Sequence, residues 1–204
     1  MNKDWTGNSK TTFVQLGASN HSDSERETND FYATDPKSLE IFLDALKRDG
    51  IELNTNIWEC ACGMGHLSKV LKKNGYNVYS SDLIDRGYGY GDFGVDFLQT
   101  TQPLLPFDIL TNPPYKYAQD FIEHALEISH KGSKCIMFLK IQFLEGKARR
   151  KLFDKNPPKY VYVNSERQAC YMNGDMSQKM SSAACYCWYI WEKGYTGDTI
   201  VRWI

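Results

Sequence analysis

The chain has 204 residues, 42% hydrophobic and 24% charged, the values of an ordinary soluble globular protein long enough to build a full core. Its formal net charge of -1 excludes a global basic field, so any polyanionic partner has to be held by a local patch. No stretch approaches the ~18 apolar residues of a membrane span and the amino terminus lacks a secretory pattern, so a cytoplasmic location is expected.

Residues 1–30 are rich in Asn, Ser, Thr, Asp and Glu around one apolar island, Phe13-Val14-Gln15-Leu16-Gly17-Ala18. This composition reads as a polar arm docked through the island, with one domain over 31–204. Asp35 is placed to cap a helix that begins at Pro36. Leu39, Phe42, Leu43 and Leu46 then recur at helical spacing, and Gly50 stops the helix.

A short strand over 57–60 leads into the turn Ala61-Cys62-Gly63-Met64-Gly65 and a helix with Leu67, Val70 and Leu71 inward. The run 77–82 is the next strand and completes a strand-helix-strand unit. Residues 86–94, which include Gly-Tyr-Gly-Tyr-Gly-Asp, read as a mobile loop, and 95–98 as a short third strand. Ile109-Leu110 carries a buried fourth strand. It is stopped by Pro113 and Pro114, which allow neither further ladder pairing nor an immediate helix.

Ala118, Phe121, Ile122 and Ala125 mark a helix ended by Gly132, and the continuous apolarity of 133–140 marks a fifth strand buried on both faces. A basic helix over 145–155, a sixth strand over 160–163, a long polar loop over 165–182 and a seventh strand over 183–191 follow. A short edge at 199–201 closes the chain. The alternation of strands and helices predicts a parallel, twisted α/β sheet with helices on both faces.

The six cysteines include Cys60-Ala-Cys62 and Cys185-Tyr-Cys187. Such a pair on a strand puts two small thiols on one face, and zinc-ribbon spacing is absent. Reduced core cysteines are therefore expected in preference to a four-thiolate zinc site, and no metal is expected.

Two constellations carry chemistry. Glu59-x-x-x-Gly63-x-Gly65 lies at a strand-to-helix turn, with Asp82 at the end of the next strand. Glycines let backbone approach a ligand, and a carboxylate at that strand end accepts hydrogen bonds from ribose hydroxyls. A nucleoside-containing cofactor fits, although two glycines also make a plain tight turn. A dinucleotide fingerprint needs a third Gly or Ala where Ser68 stands, which argues against NAD.

The second constellation, Asn112-Pro113-Pro114-Tyr115, is a rigid loop at the carboxyl end of a strand, the edge where α/β sheets bind ligands. A planar NH2 group is a poor nucleophile because its lone pair is delocalised into the system that bears it. The Asn112 side chain and the Pro113 carbonyl offer acceptors for both amine hydrogens, which localises and aims that lone pair. Positioning and electrostatics then suffice without a strong general base. Tyr115 offers a ring on which a planar group can stack.

Residues 59–65 resemble the first motif of class I S-adenosylmethionine-dependent methyltransferases. Asn112-Pro113-Pro114-Tyr115 resembles the catalytic motif of the amino-methyltransferases, above all the DNA adenine-N6 enzymes. Phe31-Tyr32-Ala33-Thr34-Asp35-Pro36 resembles their additional amino-terminal cofactor motif, and the chain from about residue 30 to 192 is similar to small methyltransferases of phages and prophages. The resemblance implies a Rossmann-like fold of seven mostly parallel strands, the last antiparallel, and S-adenosylmethionine as cofactor.

It further implies Glu59, Cys60, Ala61, Gly63 and Gly65 around the methionine part, with Tyr32 and Thr34 closing over it. Asp82 would hold the ribose, Leu83 would flank the cofactor's adenine, Asp96 and Phe97 would contact its edge, and Asn112 would serve cofactor and acceptor together. His66 reads equally as a helix-start residue or a contact. Lys147, Arg149, Arg150 and Lys151 either meet phosphates or form a solvated helix face.

The expected acceptor is adenine N6 in double-stranded DNA, flipped out of the stack. Adenine in RNA and a protein glutamine amide are alternatives, since the same loop holds any planar NH2 group. A reading of another class is a non-catalytic decoy that binds cofactor or DNA, against which two intact motifs argue. Enzymes of this kind usually carry a separate recognition domain, and this chain has no room for a large one.

Overall fold

The computed structural model describes residues 32–166, 170–172 and 184–204; the expected amino-terminal arm and most of the polar loop lie outside the described residues. The first described strand, β1 (Tyr32–Thr34), leads to helix α1 (Pro36–Arg48). The Asp35 carboxylate caps that helix by accepting from the Lys37 N–H at 2.9 Å, and Leu39, Phe42, Leu43 and Leu46 are buried along one face. Strand β2 (Asn56–Glu59), helix α2 (His66–Lys73) and strand β3 (Asn77–Asp82) form the strand-helix-strand unit. Next come β4 (Asp92–Phe93), β5 (Asp108–Thr111), α3 (Ala118–Ile128) and β6 (Lys134–Lys140). The chain ends with α4 (Arg150–Lys155), β7 (Tyr160–Val163), β8 (Cys170–Met172), β9 (Tyr186–Glu192) and β10 (Ile200–Trp203).

Eight strands form the main sheet in the order β10-β7-β9-β6-β5-β2-β3-β4, while β1 and β8 pair separately as an antiparallel two-stranded sheet. Within the main sheet β9 alone runs antiparallel, between β6 and β7. The final strand β10 is parallel to β7, so eight strands replace the expected seven and the antiparallel strand is internal. Its position explains the sequence Tyr-Cys-Trp-Tyr-Ile-Trp-Glu: a strand with neighbours on both edges and helices on both faces buries six consecutive residues.

The predicted strand over 95–98 does not form. The Asp96 carboxylate accepts from the Leu98 N–H at 3.0 Å and starts a 3-10 turn over Phe97–Gln99, and the edge strand is instead the two-residue β4 inside the glycine-tyrosine segment. The basic helix is also shorter than predicted. Gly146, at φ 107, precedes a 3-10 turn over Lys147–Arg149, and only Arg150–Lys155 is α-helical.

Alternate residues of the central strands sort into two cores. Leu110, Ile136, Phe138 and Trp188 pack with the apolar faces of α1 and α2. Ile109, Met137, Tyr189 and Trp191 pack with α3 and with Leu152 of α4. Trp188 stacks on Phe42, with ring centroids 4.8 Å apart and 12° between planes. Cys60, Cys135 and Cys187 are buried in the second core as small apolar residues.

At the amino end of β5, the buried Asp108 carboxylate accepts from the Asn54 N–H at 2.8 Å and the Lys134 N–H at 2.7 Å. It ties the start of three adjacent strands and leaves the opposite ends to define a crevice. From β2 the chain builds outward to β3 and β4, then returns to place β5 on the other side of β2. That reversal is the topological switch point where such sheets bind ligands. Among the described residues no helix is long and apolar enough to cross a membrane.

Candidate functional site

The carboxyl ends of β2, β3 and β5 open on a cavity of about 490 Å³, within the roughly 300–1,000 Å³ of small-molecule sites. Its lining includes Thr34, Glu59, Cys60, Ala61, Asp82, Leu83, Asp96, Phe97 and the run from Asn112 to Tyr115. Both sequence constellations therefore face one space. Tyr32 adds backbone to β1, which carries Thr34 to the cavity.

On the β2–β3 side, Asp82 is 6% exposed. Its Oδ2 accepts from the Gly63 N–H at 2.7 Å, and its Oδ1 accepts from the Ile84 N–H at 3.0 Å and Arg86 Nη1 at 3.1 Å. A carboxylate has about four lone-pair directions, so three protein donors leave room for one more from a ligand. Arg86 lines the cavity as well. The only signal for it in sequence is its place four residues beyond Asp82.

Glu59, 2% exposed, is hydrogen-bonded to Ser68 Oγ, which in turn shares a 2.6 Å bond with Ser80 Oγ. Ser68, the residue that breaks the dinucleotide fingerprint, is thus the buried partner of the motif's acid. Burial pushes the Glu59 carboxyl up to about 8 despite the Ser68 bond, which pulls the other way, so the proton is on at neutral pH. His66 lines the cavity half-buried, and burial together with Lys69 lowers its pKa, leaving the imidazole neutral. The Cys62 thiol, also in the lining, is pushed up to about 12 by burial, which keeps it protonated at neutral pH.

Gly63 and Gly65 are outside the lining. Both take left-handed backbone conformations, at φ 52 and 73. A Cβ on Gly65 would sit 2.2 Å from the ring of Tyr88. Tyr88 is 6% exposed, with the ammonium groups of Lys69 and Lys72 at 5.4 and 5.5 Å from its ring centroid. The segment expected to be a mobile loop thus packs a ring onto the glycine turn, and Gly65 is small because of that ring.

On the β5 side, Asn112 Nδ2 donates to Thr34 Oγ1 at 3.0 Å. This bond fixes which end of the amide donates and makes Oδ1 the accepting end. Thr34 is itself buried and paired through β1 with Cys170 of β8, so the small two-stranded sheet braces the amide. Pro113 is buried, and the Pro114 carbonyl accepts from the Tyr117 N–H at 2.9 Å to begin a 3-10 turn over Tyr115–Tyr117. Tyr115 donates its hydroxyl to Tyr186 Oη at 3.1 Å, and the Lys140 ammonium lies 5.2 Å from its ring centroid.

The basic run is not brought to the cavity. Arg149 Nη1 donates to the carbonyls of Gln142, Phe143 and Glu145 at 3.1, 3.0 and 2.5 Å, with its guanidinium 4.6 Å from the Phe143 ring centroid. Arg150 pairs with Asp154 at 2.7 Å, while Lys147 and Lys151 are exposed. Lys116 and Tyr117, which the sequence reading did not single out, line the cavity mouth instead. Among the described residues no cluster of three His, Cys, Asp or Glu side chains is arranged to hold a metal ion.

No family model matches the chain, and no curated protein matches it in sequence. Solved structures do match. A Listeria monocytogenes protein provisionally assigned as a class I S-adenosylmethionine-dependent methyltransferase superposes with TM-score 0.56 at 15% identity, over 95% of this chain and 70% of its own. A Lactococcus lactis protein provisionally named a hemolysin gives 0.57 at 12%, over 80% and 90%. A Pyrococcus horikoshii protein provisionally assigned as an RNA methyltransferase gives 0.56 at 12%, over 90% and 97%. At such identities the likeness is one of fold, a mostly parallel Rossmann-like α/β sheet.

Proposed function

We propose that the protein transfers the methyl group of S-adenosylmethionine to the N6 amine of adenine in DNA. The observation that carries this reading is the convergence of the Asp82 wall and the braced Asn112 amide on one cavity of about 490 Å³.

The residues present fit the cofactor. Asp82, held by three donors with one lone-pair direction to spare, takes a ribose hydroxyl. Leu83 and Ile84 give an apolar wall for the cofactor's adenine, and Asp96 lies at its edge. Buried Glu59 and Thr34 face the methionine end, where an ammonium group would favour the ionised form of Glu59. When bound, the cofactor supplies a sulfonium methyl as electrophile.

The chain's own part is to position the amine. Asn112 Oδ1 and the Pro113 carbonyl accept the two amine hydrogens, and the Thr34 bond keeps the amide from rotating. Holding both hydrogens in fixed acceptors turns the nitrogen lone pair toward the methyl carbon and removes orientational freedom before reaction. Tyr115, locked by Tyr186, presents its ring to the base. After transfer the surplus amine proton leaves to water, so no buried base is needed.

The test is labelled S-adenosylmethionine offered with duplex DNA, single-stranded RNA and protein extract, followed by mass analysis of the nucleosides. N6-methyladenine from DNA is the expected product. Label in RNA or in protein glutamine would replace the acceptor assigned here. Cofactor binding with no label in any of the three would leave a binding module in place of an enzyme.

A further inference from the structure

The basic run at 147–151 does not reach the cavity, yet a nucleic acid whose base enters it brings phosphates to the rim. Arg86 and Lys116 line the cavity, and the sheet adds a further cation outside the lining, beside Tyr115. Lys140 is the last residue of β6 and lies directly across the ladder from Tyr186, the first residue of β9. Its backbone is pinned, since its carbonyl accepts from Tyr189 Oη at 3.2 Å. Its side chain is exposed, with the ammonium over Tyr115 at 5.2 Å from the ring centroid.

Tyr115 does not depend on that ammonium for its place. Its hydroxyl bonds Tyr186 Oη at 3.1 Å, and Tyr186 is stacked on Phe138 at 5.0 Å and 11°. Among the described residues Lys140 joins no ion pair. The ring is therefore fixed by the core, and among the described residues the side chain of the cation beside it makes a cation–π contact, a modest interaction at an exposed site. An incoming base that stacks on Tyr115 competes for the surface the ammonium occupies, and the phosphodiester next to that base is the anion such a substrate brings with it.

We infer that Lys140 is a phosphate-binding residue of the acceptor site. Its ammonium covers Tyr115 in the free protein and moves to the backbone phosphate beside the extruded nucleotide when the base takes the ring. The inference rests on the nucleic-acid reading given above and adds to it the contact that separates a nucleic-acid strand from a protein amide, which has no phosphodiester.

The experiment measures the affinity of the full chain for short labelled duplex DNA, and for single-stranded DNA and RNA of the same sequence, by fluorescence anisotropy over a range of salt concentrations. Each neutralised phosphate adds about 0.7–0.9 to the slope of log K against log salt concentration. Lys140→Gln should lower the slope by that amount and Lys140→Arg should restore it. Calorimetric affinity for S-adenosylmethionine should stay unchanged in both variants. A purely structural role beside Tyr115 would weaken binding without moving the slope. An unaltered slope in Lys140→Gln, with the unsubstituted protein binding nucleic acid normally, overturns the role of Lys140 alone. No binding of any of the three nucleic acids by the unsubstituted protein overturns the nucleic-acid reading and this inference with it.

Discussion

Gly65→Ala tests whether the glycine turn is shaped by the Tyr88 ring. Two costs can be worked from the structure. The first is conformational: φ at Gly65 is 73, and a left-handed residue with a Cβ costs roughly 1–2 kcal/mol. The second is steric: the new Cβ would lie 2.2 Å from ring carbons of Tyr88, so the ring has to leave its buried position. Losing that burial costs about 1.5–3 kcal/mol for a side chain of this size. Gly65→Ala should therefore destabilise by about 2.5–5 kcal/mol in urea unfolding. With Tyr88 already replaced by Ala the steric cost is gone, and Gly65→Ala should cost only about 1–2 kcal/mol. A double-mutant cycle over the four proteins should thus return a coupling of roughly 1.5–3 kcal/mol. Additive effects within about 0.5 kcal/mol would refute the contact and return Gly65 to the role of a plain turn residue.

Asp82→Ala should weaken S-adenosylmethionine binding by about 10–100-fold, the range for losing a hydrogen bond to a charged group; unchanged affinity by calorimetry would remove Asp82 from the cofactor wall. Glu59 gives a pH prediction. Its carboxyl is raised from 4.5 to about 8 in the folded protein, so the folded state holds the proton more tightly than the unfolded chain. The stability this contributes is complete below that window and is lost as pH rises through it. Urea unfolding of the unsubstituted protein should lose stability relative to Glu59→Gln between pH 4.5 and about 8, and parallel profiles would contradict a buried protonated acid.

Much of the fold was legible because local and global signals agree. Asp35, Pro36 and the spacing from Leu39 to Leu46 name the first helix, and the structure buries those residues. The unbroken apolarity of β6 names a strand buried on both faces, and the structure buries Cys135 to Leu139. The errors fall where pairing is non-local or a side chain outvotes periodicity. Val95 and Phe97 alternate like a strand, but the Asp96 carboxylate captures the Leu98 N–H and turns the chain. Asp92–Phe93 pairs with β3 from inside a glycine-rich stretch with no strand signature, whereas the expected short edge at 199–201 does form, as β10 beside β7.

At the site, Asn112 and Asp82 stand in recognisable local patterns, and Thr34 belongs to the amino-terminal motif, but its bond to the Asn112 amide is not readable from spacing. The Tyr88 ring that covers Gly65 comes from a segment that reads as a mobile loop, and nothing in the spacing announces it. For the basic run the sequence leaves phosphate contact and a solvated face both open; in the structure Arg149 clamps three carbonyls, Arg150 pairs with Asp154, and Lys147 and Lys151 are exposed, while Lys140 stands at the end of an apolar strand.

The central claim, that Asn112 positions the amine for attack, is tested most directly by Asn112→Ala measured for two properties in one preparation. Methyl transfer to adenine in DNA should fall by about 10²–10³-fold, the scale for removing one oriented group that stabilises a transition state. Calorimetric affinity for S-adenosylmethionine should be largely preserved, because Asp82 and the β2–β3 wall remain. Loss of cofactor binding in step with loss of transfer would contradict the claim and make Asn112 a cofactor-binding residue.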